Sequence, residues 1–376
     1  MKKRAMLLLM LIPLCLTLFG CRYAPMERPI YPICLSIDQV EDDKIMVGIQ
    51  APHGTQSGSE GGDQSYDILS ATGDSLKDAL TILAASTPYP INFSELRLCL
   101  IGYEMASTTE LRTIFRRLDE TPTMRPNAYI MVALGNAYKV MQAQKSDLGM
   151  RISTHLNLLF NRLREEDLLP NSTLASSVRE LGDGRRDPLL CICAINPQLM
   201  PQESKGQGGT QSGDSSSGGG GAGNTGNDGG GEEPVFAIEE MWVTPLVPEG
   251  IIAGMLPRTS MNPVEYLGAA VLSNGRVSGL LTAQEAQVAL RAIDEATMRV
   301  AINGDDVQLQ IWVKKGTELE KKNGILLDVI KKLQALNSDA LGFGGASTAS
   351  FYEDAAWEAF DFHGKYSGAD MVICVE

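Results

Sequence analysis

The sequence predicts an α+β protein, with mixed sheets flanked by helices and three domains behind an N-terminal signal peptide. Short apolar runs of strand-like composition alternate with segments whose apolar residues recur at helical spacing, a pattern typical of layered α/β and α+β folds. An Asn274-Gly275 pair between two apolar runs adds a hairpin signal, because both residues suit a type I′ turn. The hydrophobic content of 44% and the charged content of 21% are ordinary for a folded protein.

The first residues have the layout of a secretory signal. Basic residues at 2–4 precede an apolar run at 5–19, and the small residue Gly20 would stand directly before the signal-peptide cleavage site. Cys21 follows directly, as in a bacterial lipobox, where the thiol is acylated before cleavage. Because the run is shorter than the roughly 20 residues of a spanning helix, we predict a signal peptide at 1–20 and lipidation at Cys21. An ordinary signal peptide with a chance cysteine and an uncleaved anchor are the alternatives.

Cysteine usage argues against a disulfide framework. With Cys15 in the signal and Cys21 as the lipid site, an odd number of cysteines remains. They are Cys34, Cys99, Cys191, Cys193 and Cys374. They lie in apolar, strand-like runs, which is typical of small core side chains. The Cys191-x-Cys193 pair is a weak metal signal without histidine partners, so we predict neither a disulfide nor a metal site.

The segment at 21–201 is predicted to form an N-terminal α/β domain. Its strands are predicted at 33–38, 44–50, 66–72, 96–102, 128–134 and 189–195. Its helices are predicted after a cap at Asp74, after a cap at Thr108 or Thr109, around 138–142, at 152–168 and at 173–181. Because strands and helices alternate, we expect helices to cover at least one face of the sheet.

The segment at 202–234 breaks this pattern. Residues 203–233 are mostly glycine, serine, asparagine, glutamine and aspartate, and no apolar side chain among them is larger than Ala222. Such a composition cannot bury enough apolar surface to order itself. Its glycines do not form a phosphate loop, because no strand leads into them and no Lys-Ser/Thr pair follows. The segment is therefore a flexible linker between domains or a loop inserted within one domain.

The remaining chain is predicted as a central α/β domain at 235–300 and a C-terminal α/β domain at 301–376. In order, the predicted elements are a strand at 235–244, the hairpin at 266–281, a helix at 283–293, a strand at 307–313, a helix at 326–336 and a strand at 371–375. Thr282 and Glu285 have the spacing of a capping box at the start of the first helix. The second helix is amphipathic, with its apolar residues on one face.

No residue pattern predicts catalysis. The histidines His53, His155 and His363 are far apart, and none has a metal partner at helical spacing. No Ser-His-Asp or Cys-His grouping has a recognisable frame. The net charge of −14 excludes nucleic acid as a partner, since nucleic acid is itself a polyanion. We therefore predict a binding or scaffolding protein without catalytic residues, cofactor or metal, and we expect no direct binding of small molecules.

Several segments resemble, in order, the motifs of one known family. They are 33–38 for an early "aiGiD" strand, 99–106 for "viiGe-lA", 121–135 for "Rp-ayvavakG", 268–285 for "GtavFk-dklvG-L...E", 338–344 for "aDifGfG", and Trp357 with Phe360 for a closing "W...f". These are motifs of the Ger(x)C family, the lipoprotein C subunits of nutrient germinant receptors in endospore-forming bacteria. The shared order of the motifs, more than any one of them, is what makes the chain resemble this family.

The resemblance implies a three-domain mixed α/β lipoprotein on the outer face of the inner membrane of the spore. It would assemble with a membrane-embedded B subunit, which resembles an amino-acid transporter, and with an A subunit. The family offers no catalytic residue to carry over. The glycine-rich segment and a shortened C-terminal domain depart from the family pattern. An extracytoplasmic solute-binding lipoprotein of a transporter is the alternative function, and it predicts two similar lobes around a cleft.

Overall fold

The structure is a computed structural model that describes residues 29–52, 66–146, 150–199, 249–258, 260–304, 306–351 and 353–376. Its strands are β1 (Cys34–Gln39), β2 (Ile45–Pro52), β3 (Tyr66–Gly73), β4 (Leu98–Gly102), β5 (Tyr129–Ala133), β6 (Leu189–Ile195), β7 (Val264–Ser273), β8 (Arg276–Leu281), β9 (Thr297–Asn303), β10 (Asp306–Val313) and β11 (Asp370–Val375). Its α-helices are α1 (Leu76–Ala85), α2 (Tyr103–Thr108), α3 (Leu111–Asp119), α4 (Ala137–Ala143), α5 (Ile152–Glu165), α6 (Leu174–Asp183), α7 (Ala283–Glu295), α8 (Glu318–Lys321), α9 (Asn323–Ala335), α10 (Phe343–Ser347), α11 (Asp354–Phe360) and α12 (Phe362–Tyr366).

Strands β1 to β8 form one sheet in the order β3-β2-β1-β4-β5-β6-β7-β8. The central strands β1, β4, β5 and β6 are parallel to one another. Antiparallel strands extend the sheet at both ends, β2 and β3 on one side and β7 and β8 on the other. The central strands β4, β5 and β6 are apolar along almost their whole length, as in the run Leu98-Cys99-Leu100-Ile101 of β4, because helices cover both faces of a parallel sheet.

Successive residues of each central strand pack into two different cores. Leu35 and Ile37 of β1 pack with α1, α3 and α6 on one face, whereas Cys34 packs with α4 and α5 on the other. Helix α3 shows why these segments are helical, since Leu111, Ile114, Phe115 and Leu118 recur at helical spacing and are buried together. The eight-stranded sheet is therefore the middle layer of three.

Strands β9 to β11 form a second sheet in the order β11-β10-β9. Strand β10 is antiparallel to β9 and parallel to β11. Alternate residues of β10, from Val307 to Val313, are buried against α7 and α9. The same core contains Val271 of β7 and Leu281 of β8. The two sheets therefore share one apolar core, and the eight-stranded sheet takes part in all three cores.

The predicted α+β class, with mixed sheets flanked by helices, is confirmed. The predicted hairpin is also present, with Asn274 at φ 51° and Gly275 at φ 73°, as a type I′ turn requires. The capping box opens α7, because the Thr282 hydroxyl accepts from the Glu285 amide at 3.3 Å and the Glu285 carboxylate accepts from the Thr282 amide at 2.8 Å. Both signals are local in sequence, which is why composition and spacing reveal them.

The predicted cap of α1 at Asp74 is wrong by one residue. Ser75 is the cap, and its hydroxyl accepts from the Asp78 amide at 3.2 Å. The elements that were not predicted include the short helix α2 and the strand β9, and also the short helices α10, α11 and α12. Helix α2 follows β4 without a connecting turn, and β9 follows α7 after the single residue Ala296. Both therefore lack the loop residues by which a sequence usually separates neighbouring elements.

The predicted cap of α3 at Thr108 or Thr109 is also wrong. Both threonines lie at the end of α2 and just after it, and Glu110 precedes α3 without a side-chain cap. The amide of Leu111 instead donates to the carbonyl of Gly275 at 2.8 Å. The turn of the β7–β8 hairpin thus satisfies the first amide of α3, a contact that no local sequence pattern signals.

Strands β6 and β7 are direct antiparallel neighbours, with Leu189 opposite Val271 and Ile195 opposite Val264. One sheet therefore contains strands from both sides of residues 200–248. Those residues, including the predicted strand at 235–244 and the glycine-rich segment, lie outside the described part of the chain. The domain boundaries proposed from the sequence remain predictions. Within the described ranges, no helix is both long and apolar enough to cross a membrane.

Candidate functional site

The predicted lipidation site, Cys21, lies outside the described residues. The contacts of Ile30, near the start of the described chain, show where the N-terminal segment joins the fold. Ile30 forms a parallel bridge with Ile91. The Ile30 amide donates to the Pro90 carbonyl at 2.9 Å, and the Ile30 carbonyl accepts from the Asn92 amide at 2.8 Å. The chain is therefore fixed to the first domain within ten positions of Cys21.

Asp38 is a buried carboxylate at the carboxyl end of β1. It accepts from the amide of Ala137 at 2.7 Å and from the amide of Tyr138 at 2.8 Å. These are the first amides of α4, which have no partner within their own helix. Burial raises the pKa of Asp38, and the two hydrogen bonds act in the opposite direction. Asp38 thus joins β1 to α4 across the sheet.

Gly102 lies against Asp38 at this place, and Gly135 lies against Gly102. A Cβ atom on Gly102, at the end of β4, would lie 2.3 Å from Oδ1 of Asp38 and 3.4 Å from the carbonyl oxygen of Gly135. The Tyr103 amide donates to that same Gly135 carbonyl at 3.2 Å. Asp38, Gly102 and Gly135 come from three separate motifs of the sequence resemblance. The structure brings them together at the carboxyl ends of three neighbouring parallel strands, β1, β4 and β5.

Asp339 is a second buried carboxylate, in the "aDifGfG"-like motif. It accepts from the amides of Gly342 at 3.1 Å, Phe343 at 2.8 Å and Gly344 at 2.5 Å. Burial raises the pKa of Asp339 to about 7, whereas the bonds from Gly344 and Phe343 and the nearby His363 lower it. The carboxylate thus holds the turn that leads into α10, which explains an acid followed by closely spaced glycines.

The residues around Asp339 join the two sheets. The Asp339 amide donates to Oδ2 of Asp187, and the Asp187 amide donates to the Asp339 carbonyl, at 2.9 and 3.2 Å. His363 of α12 donates from Nε2 to the carbonyl of Gly184 at 2.9 Å, since a carbonyl oxygen can only accept. Burial also raises the pKa of Asp187, while its bond from Asp339 and the charge of His363 lower it. Sequence reasoning found neither Asp187 nor the role of His363.

A cavity of about 380 Å³ lies beside this junction. Its charged lining consists of Arg112, Glu180, Arg186, Asp187, Glu358 and Asp361. Acids outnumber bases in this lining, and an Arg186–Glu180 ion pair at 3.8 Å neutralises one of each. The cavity can accept a polar or charged group of a ligand or partner. Among the described residues that line the cavity, no two side chains form a pair of nucleophile and general base.

Glu265 is a third buried carboxylate, and it was not singled out from the sequence. It lies in the apolar strand β7 and accepts from the amides of Gly254 at 2.6 Å and Leu256 at 3.1 Å. Asn196 donates to it at 2.7 Å and Arg258 at 3.1 Å. Its side chain is fully buried. A lone acid within an apolar strand was the available signal, and the role of Glu265 is to hold the segment 254–258 against β7.

The remaining residues singled out from the sequence are the other histidines and the cysteines, and they do not join the sites described above. His53 is outside them, and His155 is half-buried on α5, as expected for a residue at the boundary of the core. Cys34, Cys99, Cys191 and Cys193 are free and buried, and Cys374 is half-buried. Burial raises the pKa of Cys99 to about 12, so this thiol stays protonated and unreactive. Within the described residues, no cluster of potential metal ligands occurs.

Comparison with known proteins gives one family match. Residues 23–195 match the model described as the spore germination protein N-terminal domain. A solved structure described as the crystal structure of the GerBC protein is 12% identical to this chain, with a TM-score of 0.44, and the alignment covers 91% of this chain and 95% of that one. No curated protein matches the sequence.

Proposed function

We propose, because residues 23–195 match the model of the spore germination protein N-terminal domain, that this chain is a lipid-anchored, non-enzymatic subunit of a spore nutrient germinant receptor. Its role would be receptor assembly and the response to germinant. The family match carries the proposal, and it agrees with the Ger(x)C resemblance of the motifs that lie within residues 23–195. The match begins two positions after Cys21, so the whole matched domain would follow the lipid site directly.

The anchor determines where the domain can act. Two or three acyl chains on Cys21 would give stable attachment, whereas a single chain is marginal. Eight Cα–Cα steps separate Cys21 from Pro29, where the described chain begins, so the fold would start within about 30 Å of the anchored residue. Because the lipid anchor would keep the domain close to the membrane surface, the effective concentration of the domain near membrane-embedded partners would be raised.

The charge of the chain supports attachment by lipid. With a net charge of −14, the protein as a whole is repelled by the anionic surface of a membrane, which favours attachment by lipid over attachment by charge. The Ger(x)C resemblance implies the A and B subunits of a receptor, held in the same membrane, as partners. The inner membrane of the spore, on its extracytoplasmic face, is the proposed location.

Recovery of the native protein from detergent-solubilised spore membranes tests the assembly. Affinity capture should bring along a multi-spanning, transporter-like protein and a second large subunit. Capture of an ATP-driven permease would instead support the alternative, an extracytoplasmic solute-binding lipoprotein. Capture of the chain with no partner would also contradict the receptor assignment.

Membrane fractionation of two cysteine variants tests the anchor. Cys21→Ala should move the protein from the membrane to the soluble fraction and impair germination, because the acylated thiol is lost. Cys15→Ala is the matched control, since this cysteine lies within the predicted signal peptide and should leave attachment unchanged. Retention of Cys21→Ala in the membrane fraction would exclude Cys21 as the anchor.

A further inference from the structure

The outer edge of β11 is unpaired in the part of the chain that the structure describes. Strand β11 is the first in the order β11-β10-β9, and it pairs in parallel with β10 on one side. Its register with β10 is continuous from Asp370 to Val375. A strand with one free side presents a row of backbone donors and acceptors to any extended chain that approaches it.

Glu376 shows which backbone groups face this free side. Its amide donates to the carbonyl of Val313 at 3.0 Å, and its carbonyl accepts from the amide of Lys315 at 2.8 Å. Glu376 therefore faces β10 with both groups. Because successive residues of a strand alternate in direction, Val375 and Ile373 point their backbone N–H and C=O groups away from β10.

The described sheet edges differ in how they resist pairing. Strand β8 contains Gly279 and a register shift against β7, and β9 carries the exposed Arg299. Strand β3 carries Asp67 and ends at Gly73. Glycines, bulges and charges within a strand weaken it as a template. Strand β11 contains no glycine and no register shift, and its one charged residue, Asp370, is its first residue and precedes the apolar run Met-Val-Ile-Cys-Val.

The side chains along this edge add a specific chemistry. Val372 is 42% exposed and Val375 is 45% exposed, which is high for apolar residues in a strand. Asp370 and Glu376 are exposed at the two ends of the same edge. An apolar centre between two acidic ends is complementary to an extended segment with apolar residues in its middle and basic residues at its ends.

We infer that the free edge of β11 is a docking site for such a segment of a partner protein, which would add a strand to the three-stranded sheet. A second copy of this chain fits less well. In the antiparallel self-pairing with the greatest overlap, Ile373 faces its own copy and Asp370 faces Glu376, which places like charges opposite each other. The strand predicted at 235–244 fits less well too, because it contains Glu239 and Glu240 and no basic residue.

Peptide binding to the full-length mature protein in detergent tests this inference without reference to the proposed receptor. The probe is a short capped peptide of alternating valine and threonine with lysines at both ends, measured by fluorescence anisotropy. A matched peptide with glutamates at both ends should bind on the order of fivefold to tenfold more weakly, since two exposed ion pairs are replaced by two repulsions. A lysine peptide with N-methylated backbone amides should not bind, because strand addition needs those donors.

Variants of Val375 locate the site on the protein. Val375→Pro removes a backbone N–H that points away from β10, so the ladder with β10 stays intact while binding of the lysine peptide is lost. Val375→Thr keeps the N–H and the branched side chain and should bind as the wild type does. Asp370→Lys should reduce the preference for the lysine peptide. Circular dichroism of each variant checks that the fold is retained.

Four results would overturn the inference. Equal binding of the lysine and glutamate peptides would remove the charge argument. Unchanged binding by Val375→Pro would place the peptide elsewhere. A dimer in solution that Val375→Pro converts to a monomer would show that a second copy occupies the edge, and peptide binding that appears only after deletion of 202–245 would show that the chain covers its own edge.

Discussion

Asp187 and Asp339 bind each other reciprocally across 152 positions of sequence. The Asp339 amide donates to the Asp187 carboxylate at 2.9 Å, and the Asp187 amide donates to the Asp339 carbonyl at 3.2 Å. Asp187 leads into β6 of the eight-stranded sheet, and Asp339 follows α9, which packs on the three-stranded sheet. Both carboxyl groups are desolvated, and burial raises the pKa of each. The pair therefore fixes the position of one sheet relative to the other.

Removal of the Asp339 carboxylate should destabilise the protein. Asp339→Ala leaves the amides of Phe343 and Gly344 buried without an acceptor, and we expect the free energy of unfolding to fall by about 2–4 kcal/mol. Urea denaturation measures the change. Asp328→Ala, an exposed acid on α9, is the control and should change the value by no more than about 0.5 kcal/mol. Equal effects of the two substitutions would contradict the role assigned to Asp339.

The stability of the protein should depend on pH through Asp339. Its folded pKa of about 7 lies above the ordinary value of 3.8, so between these values the folded state holds a proton that the unfolded state has lost. This contribution to stability is therefore complete below about pH 4 and is lost as the pH rises through about 7. Asp339→Asn does not titrate at this position. The unfolding free energy of the wild type should fall relative to that of Asp339→Asn over this range and run parallel to it at higher pH.

Urea denaturation of both proteins at a series of pH values checks this prediction. The charges of Asp187 and His363 act on Asp339, and both residues are kept in Asp339→Asn, so the difference between the two curves reports mainly on the Asp339 carboxyl group. Parallel curves across the whole range would show that the pKa of Asp339 is the same in the folded and unfolded states. A difference that grows in the opposite direction would mean that its hydrogen bonds outweigh its burial.

Asp38 and Gly102 should show energetic coupling. Gly102→Ala places a methyl group 2.3 Å from Oδ1 of Asp38, and this overpacking should cost about 1–3 kcal/mol. Asp38→Ala removes the acceptor of the Ala137 amide at a cost of about 1–3 kcal/mol, but it also removes the clash. The double variant should therefore lose at least about 1 kcal/mol less than the sum of the single variants.

Thermal and urea unfolding of the four proteins in this cycle give the coupling energy. Gly182→Ala is the matched control, because a Cβ atom at this glycine of α6 would have no neighbour within 4 Å. It should stabilise the helix by up to about 1 kcal/mol and add independently to Asp38→Ala. Additive effects in the Asp38–Gly102 pair would mean that the two residues do not touch.

Cleavage within 203–233 should leave the two halves of the protein associated. Strands β6 and β7 pair directly across this segment, and both pack into shared cores. A protease site placed in the segment should therefore give two bands on a denaturing gel and one peak in native size-exclusion chromatography. Separation of the fragments under native conditions would show that the segment joins independent domains.

Shortening the same segment should have little effect on stability. Loop-closure entropy changes by only about 0.6 kcal/mol for each doubling of loop length. Replacement of 203–233 by a short Gly-Ser link should therefore shift the melting temperature by only a few degrees. A loss of ten degrees or more would show that these residues pack against the fold.

Local signals in the sequence predicted the elements that they specify. The hairpin turn at Asn274-Gly275 and the capping box of Thr282 and Glu285 depend on residues a few positions apart, and both are confirmed. The cap of α3 could not be predicted in this way, because its first amide is satisfied by the carbonyl of Gly275 from a distant hairpin. Such a contact forms only when the tertiary structure brings the two segments together.

The buried carboxylates show the same difference between what local sequence predicts and what the folded chain reveals. Asp38, Gly102 and Gly135 were each noticed as parts of separate motifs, but their meeting at one point of the sheet depends on the pairing of β1 with β4 and of β4 with β5. Asp187 and Glu265 had no strong sequence signal, since a single acid next to an apolar run is common on protein surfaces. Their burial and their hydrogen bonds identify them only in the folded chain.

The sequence by itself determined the α+β class, the family resemblance, the core role of four cysteines and the prediction of Cys21 as the lipid site. These features depend on composition, periodicity and short motifs, which are properties of neighbouring residues. The tertiary structure alone decided that β6 and β7 are neighbours in one sheet on either side of the glycine-rich segment and that Asp187 and Asp339 join the two sheets. Both results depend on backbone hydrogen bonds and burial between residues far apart in sequence, and no local pattern encodes which distant partner a strand or a carboxylate will meet.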